Sequence, residues 1–493
     1  MTRPRGEARG GAGASTAEIP VRRRTVCPAC REVIATGGVR CPRCFVALDR
    51  FAPLPQEEVS ARIAEHDRRA AAGERAWLTR RNALIAAAAL VALFIAYRAW
   101  DAWLRPPPTV PLASQRSLAV PPLPDAWPLA HGDLGSTRAT SARPRIDGAP
   151  VWSRALGAGP SAPIVTDGTV VLAPLADGRL RALSAADGTP LWEERFPNPL
   201  WASPTLAGGL VVVTERSGRV AGYDARTGAL RWAAQTQNLI AAPALVTDGV
   251  AYVYGQGGLT AFDAATGAEL WSREIATPWA FVSPALDGDH VVVTTNDRLL
   301  VFNRHSGEQG YWYEFVRAQP FGAILDDGVA FGASWRFAGA FDVTSRRPWW
   351  EGWRVVWFQL ARQGWLPLPP DPPARWVVHR PLTASRQAIP TGLPPALGPT
   401  ALYLATAEGE VRAVARASGE TLWRQQVGPI SGSPTLTPDG LVVVQPGRLL
   451  LLDAATGAGA GERAFPDETL VGAVVTSATT YVTTASGRLI ALR

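Results

Sequence analysis

The sequence contains no lysine, one methionine and only four cysteines in 493 residues. So few cysteines exclude a fold held together by many disulfides. Only 18% of the residues are charged and 47% are hydrophobic, which excludes a largely disordered chain. Turn formers, in contrast, are abundant, with 47 glycines and 43 prolines. At ~150 residues per domain, such a chain holds about three domains, or one large β unit with smaller additions.

The net charge of +7 is concentrated at the N-terminus. Residues 1–105 contain 18 arginines against 10 acidic residues, whereas the remaining residues contain 31 arginines against 32 acidic residues. The larger part of the chain is therefore nearly neutral, and we expect no nucleic-acid partner for it. Residues 1–24 are rich in glycine, alanine and arginine without hydrophobic periodicity, and are predicted to be a disordered basic tail.

All four cysteines lie in two Cys-x-x-Cys motifs, Cys27 with Cys30 and Cys41 with Cys44, separated by ten residues. Each motif places two thiolates on one tight turn, and a hairpin between the motifs brings four ligands together around one metal. Two disulfides or four unligated thiols are the alternatives. We predict a structural zinc ion in a four-cysteine zinc ribbon over residues 25–48, because so short a segment has little core of its own. The segment resembles the short zinc ribbons common at bacterial protein N-termini.

Two helical segments follow the cysteines. Residues 56–81 are predicted to form a charged helix, and residues 82–104 a transmembrane helix. Residues 83–97 carry no charge, and the run continued to 103 is long enough, at 1.5 Å per residue, to cross ~30 Å of hydrocarbon. A buried helix of a soluble domain is the alternative, and the arginines on one side and prolines 106–108 on the other argue against it.

The charges on either side of this segment predict its orientation. Residues 62–81 contain six arginines and residues 104–123 contain two. By the positive-inside rule, the protein spans the inner membrane once through residues 83–103, with its N-terminus in the cytoplasm and the rest in the periplasm. The cysteines then lie in the reducing compartment. Residues 105–128 include eight prolines, so residues 105–148 are predicted to be a Pro-rich linker.

From residue 149 to residue 493 the sequence repeats itself every 38–41 residues. Each copy has four β segments joined by three turns, the pattern of one propeller blade. The third turn reads Asp-x-x-Thr-Gly, as in 224–228 and 263–267, and Trp232 and Trp271 follow four residues later. A ring at the same point of each outer strand predicts packing between neighbouring blades.

Seven copies are complete, and the last part of the chain supplies only three strands. The missing strand is predicted at residues 150–154, with Trp152 in the tryptophan position. This N-terminal strand would complete the last blade and leave no open sheet edge. The sequence therefore predicts an all-β fold, an eight-bladed β-propeller over residues 149–493.

Residues 357–394 interrupt the repeat and are rich in tryptophan and proline. The proline density favours a surface excursion between blades five and six over a decayed extra blade. In this interpretation Trp350 is the tryptophan of blade five, where Arg346 replaces the glycine of the turn. The excursion forms a face for a partner or packs on the propeller rim, and the sequence leaves both open.

The repeat resembles the pyrroloquinoline-quinone (PQQ) repeat, with its AxDxxTGxxxW signature at 223–232 and 262–271. This resemblance covers residues 149–493. It implies the eight-bladed propeller shared by quinoprotein alcohol dehydrogenases and by the propeller lipoprotein of the outer-membrane β-barrel assembly machinery. The first group implies an enzyme, whereas the second implies a rigid disc whose loops contact other proteins.

The residues favour the second group. Quinoprotein sites use a vicinal disulfide, but no cysteine follows Cys44, and the acidic residues fall mostly in turns. We therefore expect neither PQQ nor catalytic residues, and predict a membrane-anchored, non-enzymatic scaffold outside the cytoplasm that binds protein partners. A membrane-tethered quinoprotein dehydrogenase or a small-ligand sensor using the central channel is the alternative. The chain departs from the lipoproteins in carrying a predicted span and zinc ribbon in place of a signal peptide with a lipidated cysteine.

Overall fold

The computed structural model describes residues 24–103, 126–237, 239–240, 242–275, 283–295, 298–314, 320–334, 337–343, 354–368, 374–379 and 392–493. The chain forms two compact units, Met1–Asp101 and Ala102–Arg493.

The first unit combines a small hairpin with a long helix. Strands Arg24–Val26 and Val33–Ala35 pair antiparallel, and a short 3-10 helix covers Leu48–Arg50. Helix α1 then runs without interruption over Gln56–Trp103, where the sequence predicted two consecutive helices. Arg24 forms an ion pair of 2.6 Å with Asp67 of α1, so the hairpin contacts the charged part of this helix.

The second unit contains eight four-stranded antiparallel sheets, and the predicted eight-bladed propeller is confirmed. Blade one consists of Val165–Thr166, Val170–Pro174, Arg179–Ser184 and Pro190–Arg195, and blade two of Thr205–Ala207, Leu210–Thr214, Arg219–Asp224 and Leu230–Gln235. Blade three consists of Leu245–Thr247, Val250–Gly255, Gly258–Asp263 and Glu269–Glu274, and blade four of Ala285–Asp287, His290–Thr294, Arg298–Asn303 and Gln309–Glu314.

The remaining four blades follow the same order. Blade five consists of Pro320–Asp326, Val329–Ser334, Phe337–Asp342 and Ala374–His379, and blade six of Gly392–Leu397, Ala401–Thr406, Glu410–Ala415 and Thr421–Gln426. Blade seven consists of Gly432–Thr437, Gly440–Gln445, Arg448–Leu452 and Gly459–Ala464, and blade eight of Leu470–Val475, Thr480–Thr484, Arg488–Leu492 and Pro150–Ala155. First strands of most successive blades lie next to one another and form the inner wall of the propeller.

The ring closes as the sequence predicted. Strand Pro150–Ala155 pairs antiparallel with Arg488–Leu492 and completes blade eight. Trp152, Val171 and Leu489 belong to one buried cluster, which joins blade eight to blade one. A separate buried cluster lies between each other pair of neighbouring blades. Each blade therefore buries both faces of its sheet, and none is left uncovered at a broken end.

The repeated tryptophans join each blade to the next. The Nε1 of Trp232 donates a hydrogen bond of 2.8 Å to the carbonyl of Ala264 in the third turn of blade three. Its ring lies beneath Gly267 of that turn, where an added Cβ would come within 2.5 Å of the ring. The same pair of contacts recurs for Trp152, Trp192, Trp271, Trp376 and Trp423. The glycine of the turn is thus required both for its positive φ and to make room for the ring of the preceding blade.

Two glycine variants separate these requirements. Gly267 (φ +75°) faces the Trp232 ring, whereas Gly209 (φ +78°) has no atom within 4 Å of an added Cβ. Gly209→Ala should cost about 1 kcal/mol, from the backbone conformation alone. Gly267→Ala should cost about 1–3 kcal/mol more because the ring must move. Thermal unfolding of the full chain measures both, and equal losses would contradict the packing role of the ring.

Blade five corrects one prediction. Its fourth strand is Ala374–His379, and Trp376, not Trp350, makes the contacts of the repeated tryptophan, donating to the Arg416 carbonyl at 2.7 Å. Part of the segment 357–394 is therefore this strand, and the predicted excursion between blades five and six was wrong. The insertion lies within blade five, before its fourth strand, and includes helix α2, Arg354–Arg362. Spacing misled the assignment because a long insertion replaces the short third turn; Trp350 itself lies outside the described residues.

Candidate functional site

The four cysteines lie on two equivalent turns. The amide of Arg31 donates to the carbonyl of Cys27, and the amide of Phe45 donates to that of Cys41, both at 2.9 Å. Arg31 and Phe45 follow the second cysteine of their motifs and have positive φ values of 60° and 58°. Each turn therefore reverses the chain just after its second cysteine and directs both sulfur atoms to the same side.

The sulfur atoms of the four cysteines form one cluster. All four Sγ atoms lie within 4.8 Å of one another, and the Cys27–Cys44 and Cys30–Cys41 pairs are each 3.7 Å apart. These distances are too long for disulfides, whose S–S bond is ~2.05 Å. A tetrahedral zinc ion with Zn–S bonds of ~2.3 Å needs sulfur atoms about 3.8 Å apart. The cluster therefore has the donor set and the spacing of a closed zinc site.

The thiols of this cluster influence one another. The backbone amides of Cys44 and Arg43 lower the pKa of Cys41 to about 7. The Glu32 backbone lowers the pKa of Cys30, but burial and the neighbouring sulfur atoms outweigh it and raise that pKa to about 12. A metal cation among the four sulfur atoms would favour their thiolate forms and offset the repulsion between them.

Helix α1 has the length and composition of a membrane span. Its apolar half exposes large side chains, with Leu84, Leu90 and Leu93 each more than 65% exposed. Within the described residues it is the one helix long and apolar enough to cross a bilayer. So many exposed apolar side chains are unfavourable in water and are typical of a helix that lies in a bilayer.

A segment before the first blade runs along the inner strands of the propeller. Residues 126–148, here called the inner segment, bind the first strands of the blades in order. The amides of Leu206, Leu286, Leu325, Leu397 and Leu436 donate to the carbonyls of Pro128, Leu134, Gly135, Thr137 and Arg138 at 2.7–2.9 Å. Trp127 and Thr166 exchange two backbone hydrogen bonds in blade one. The prediction of a linker over 105–148 was therefore wrong for residues 126–148, which are part of the propeller.

Sequence reasoning missed the inner segment because the proline-rich run was extended across it. Eight prolines lie in 105–128, but only one lies in 129–148. This change of composition was the available signal. It could not have placed the segment along the first strands, because its partners there are backbone groups from several different blades.

Arg138 is the most constrained side chain of the inner segment. It is 5% exposed, and its guanidinium donates to the carbonyls of Pro434, Ala130 and Ser433 at 2.9–3.3 Å. Further contacts reach Thr435 Oγ1 at 3.2 Å and His131 Nδ1 at 3.4 Å. Burial lowers the pKa of Arg138 to about 10, which leaves it protonated at neutral pH. All five guanidinium hydrogens are thus used by the chain itself, and they tie the segment to blade seven.

His131 makes this arrangement sensitive to acid. Burial, and secondarily the charge of Arg138, lower its pKa to about 3 from 6.5. Between these values the unfolded chain binds a proton that the folded chain does not, so the free energy of unfolding should fall as pH falls from 6.5 to 3. Urea unfolding across this range measures the loss. His131→Asn should make this slope shallower by the contribution of one histidine; a slope that the substitution leaves unchanged would contradict the assignment.

Comparison of the sequence with known proteins identifies a matching family. A sequence family described as outer membrane protein assembly factor BamB matches residues 135–351 and 407–493, well over half of the chain. The chain is 30% identical to BamB of Yersinia pestis over 197 residues, 36% of this chain and 49% of that protein. It is 26% identical to BamB of Burkholderia pseudomallei over 247 residues, 45% of this chain and 64% of that protein. The chain thus spans less than two thirds of the length of either relative.

Solved structures agree in fold. BamB from Moraxella catarrhalis superposes with a TM-score of 0.53 at 19% identity, covering 70% of this chain and 99% of that one. A quinohemoprotein alcohol dehydrogenase from Comamonas testosteroni gives a TM-score of 0.56 at 14% identity, covering 74% and 80%. At these identities the likeness concerns the propeller alone, and the sequence match decides between the two groups. The chain belongs to the family of the outer membrane protein assembly factor BamB.

Proposed function

We propose that this protein is a non-enzymatic propeller, anchored in the inner membrane by α1, that acts as a periplasmic scaffold in the assembly of outer-membrane proteins. The family match over residues 135–351 and 407–493 carries this proposal. It includes most of the inner segment, six complete blades and parts of blades five and six. The relatives are named as assembly factors, and a rigid disc with exposed turns suits protein contacts rather than chemistry.

The axis of the propeller supports a structural rather than a catalytic use. Beside the innermost strands, the guanidinium of Arg138 and the backbone of Trp127 are bound to the chain's own backbone. Catalytic groups, in contrast, are directed at a substrate with unsatisfied hydrogen-bonding capacity. Soaking the full chain with PQQ and Ca²⁺ should give neither quinone absorbance at one equivalent nor dye reduction with alcohols.

The N-terminal unit adds two proposals to this function. Cys27, Cys30, Cys41 and Cys44 bind one structural zinc ion on the cytoplasmic side. Helix α1 crosses the inner membrane, because its apolar half needs the bilayer and the arginines before it stay in the cytoplasm. Protein partners inside the cell would contact the ribbon through exposed side chains such as Val39 and Phe45, which lie outside the sulfur cluster.

The experiment is affinity capture from native membranes. A tagged full chain, cross-linked in cells, should retain components of the machinery that assembles outer-membrane proteins. Protease added to spheroplasts should remove the propeller and spare the ribbon. Capture of none of these components, or a stoichiometric quinone complex with turnover, would overturn the proposal. A variant lacking the helix insert 354–368 tests whether that insert contributes a contact.

A further inference from the structure

A cavity of about 750 Å³ lies between the inner segment and the first strands of blades two to five. Gly132, Asp133 and Leu134 line one side, and residues 246–248 and 286–288 of blades three and four line the other. Its volume falls in the range of ~300–1,000 Å³ that ligand-binding pockets occupy. The hydrogen bonds of the inner segment described above give this cavity no function.

The cavity borders an open strand edge in blade three. In the hairpin around Asp248, Thr247 pairs with Val250 and Val246 with Ala251. In an antiparallel ladder, hydrogen-bonded and non-hydrogen-bonded residue pairs alternate. Val246 is in a non-hydrogen-bonded pair, so its amide and carbonyl point away from the second strand and toward the inside of the propeller. The equivalent Leu206 of blade two points the same way, and its amide donates to Pro128.

Val246 differs from its equivalents in having no inner-segment partner. At the equivalent position of blades one to seven, which the structure describes in every blade, it is the one residue without a backbone hydrogen bond to that segment. The segment turns away here, with the amide of Gly132 donating to the Leu129 carbonyl and that of Arg138 to the His131 carbonyl. Val246 is only 6% exposed, and its amide has no acceptor among the described residues, so it is available to the carbonyl of a partner.

The charges around the cavity are mostly negative. Asp133, Asp248, Asp287 and Asp326 line it, against the single cation Arg304. Arg304 pairs with Asp248 at 2.8 Å, and Arg416 pairs with Asp326 at 2.7 Å. Asp287 accepts only the Gly328 amide, at 3.1 Å, among the hydrogen bonds of the described residues. The cavity therefore favours a cationic group near Asp287.

We propose that this cavity binds a short extended peptide segment of a partner protein that carries a basic side chain. The peptide backbone pairs with the amide and carbonyl of Val246 as an added strand, and the basic side chain lies toward Asp287. Strand addition supplies affinity through main-chain hydrogen bonds, while the side-chain charge supplies selectivity. This inference rests on the scaffold function proposed above and names the chemistry of one partner segment.

Two fluorescein-labelled pentapeptides test the inference on the full chain in nanodiscs. One has the sequence Thr-Val-Arg-Val-Thr, and the other carries glutamate in place of arginine. Fluorescence anisotropy should show the arginine peptide binding at least about tenfold more tightly, since one charge contact is worth roughly 1.4 kcal/mol. Its affinity should fall as salt is raised.

Two variants test the two contacts separately. Val246→Pro removes the inward amide but no ladder bond of the hairpin, and should weaken both peptides about tenfold or more. Asp287→Asn should weaken the arginine peptide and not the glutamate peptide. Asp467→Asn, at an exposed turn away from the cavity, is the charge control. Melting temperatures establish that each variant is folded, and Asp287→Asn remains informative if Val246→Pro unfolds.

The inference would be overturned if the two peptides bind with equal affinity. It would also be overturned if Val246→Pro and Asp287→Asn both bind the arginine peptide as tightly as the parent chain does. If the affinity capture described above still succeeds, only the peptide site is lost and the scaffold function stands. If capture fails as well, the scaffold proposal falls with it. The site is supported if the arginine peptide binds the parent chain and if Val246→Pro and Asp287→Asn each weaken this binding.

Discussion

Replacing Cys41 with serine is expected to release the zinc ion and to unfold residues 24–50. The apolar core of this region consists of little more than Val26, Ile34 and the buried Cys27 and Cys41, with Leu48 packed beside them. So small a core cannot offset the conformational entropy of its residues without metal. Zinc binding to structural cysteine sites contributes about 10–16 kcal/mol, which exceeds any other interaction available here.

Metal analysis and proteolysis of the full chain measure this effect. The parent chain should contain one zinc ion per molecule and resist cleavage in residues 24–50, and the Cys41→Ser chain should have neither property. Val39→Ala is the control, because this side chain is 75% exposed and is not part of the small core around the sulfur atoms. A metal-free parent chain with a protease-resistant ribbon would contradict the zinc assignment.

Replacing Arg138 with methionine is expected to destabilise the propeller by about 3–5 kcal/mol, because several buried hydrogen bonds to a charged group, worth about 1.5–3 kcal/mol each, are lost together. Methionine retains much of the volume but donates no hydrogen bond. The buried carbonyls of Ala130, Ser433 and Pro434 then lose their donor, each at about 1–3 kcal/mol before relaxation. The inner segment should detach from blade seven, where Leu436 pairs with it.

Thermal unfolding and amide hydrogen exchange distinguish this effect from a general loss of stability. Exchange should accelerate first at Leu436 and Leu397, whose amides depend on the inner segment, and less at the tryptophan-bearing outer strands. Arg143→Met is a matched control, because Arg143 lies in the same segment but is exposed and pairs with Asp439 at the surface. A loss below about 1 kcal/mol, the size of a single ordinary hydrogen bond, would show that the segment does not depend on Arg138.

Several features could be predicted from the sequence because their causes are local. The Asp-x-x-Thr-Gly turn is built by neighbours: Asp263 Oδ1 accepts the amides of Ala265 and Thr266 at 3.0 and 2.9 Å. The tryptophan four residues later falls at a fixed register, as Trp271 opposite Ala261. The number of copies of these short-range patterns gives the number of blades. The last copy has only three strands, which correctly predicted that the strand with Trp152 completes it.

The insertion in blade five shows where this reasoning fails. Trp350 has the correct spacing, but Trp376 pairs in register with Ala340 and donates to blade six. Spacing measures distance along the chain, whereas the outer strand is selected by its fit to the third strand and to the next blade. A long connection costs only a small additional loop entropy, so the fold tolerates the displacement of a strand by more than twenty residues.

The sequence by itself determined the propeller, its blade number, its closing strand and the pairing of two cysteine turns, because each follows from a repeated local pattern. Tertiary structure alone decided that residues 126–148 bind the first strands of the blades, that Arg138 is buried there and that Val246 has no partner in this segment. These outcomes depend on backbone groups contributed by many blades, and backbone groups are the same for nearly every residue type. No side-chain pattern in one segment records which distant amides and carbonyls it will meet.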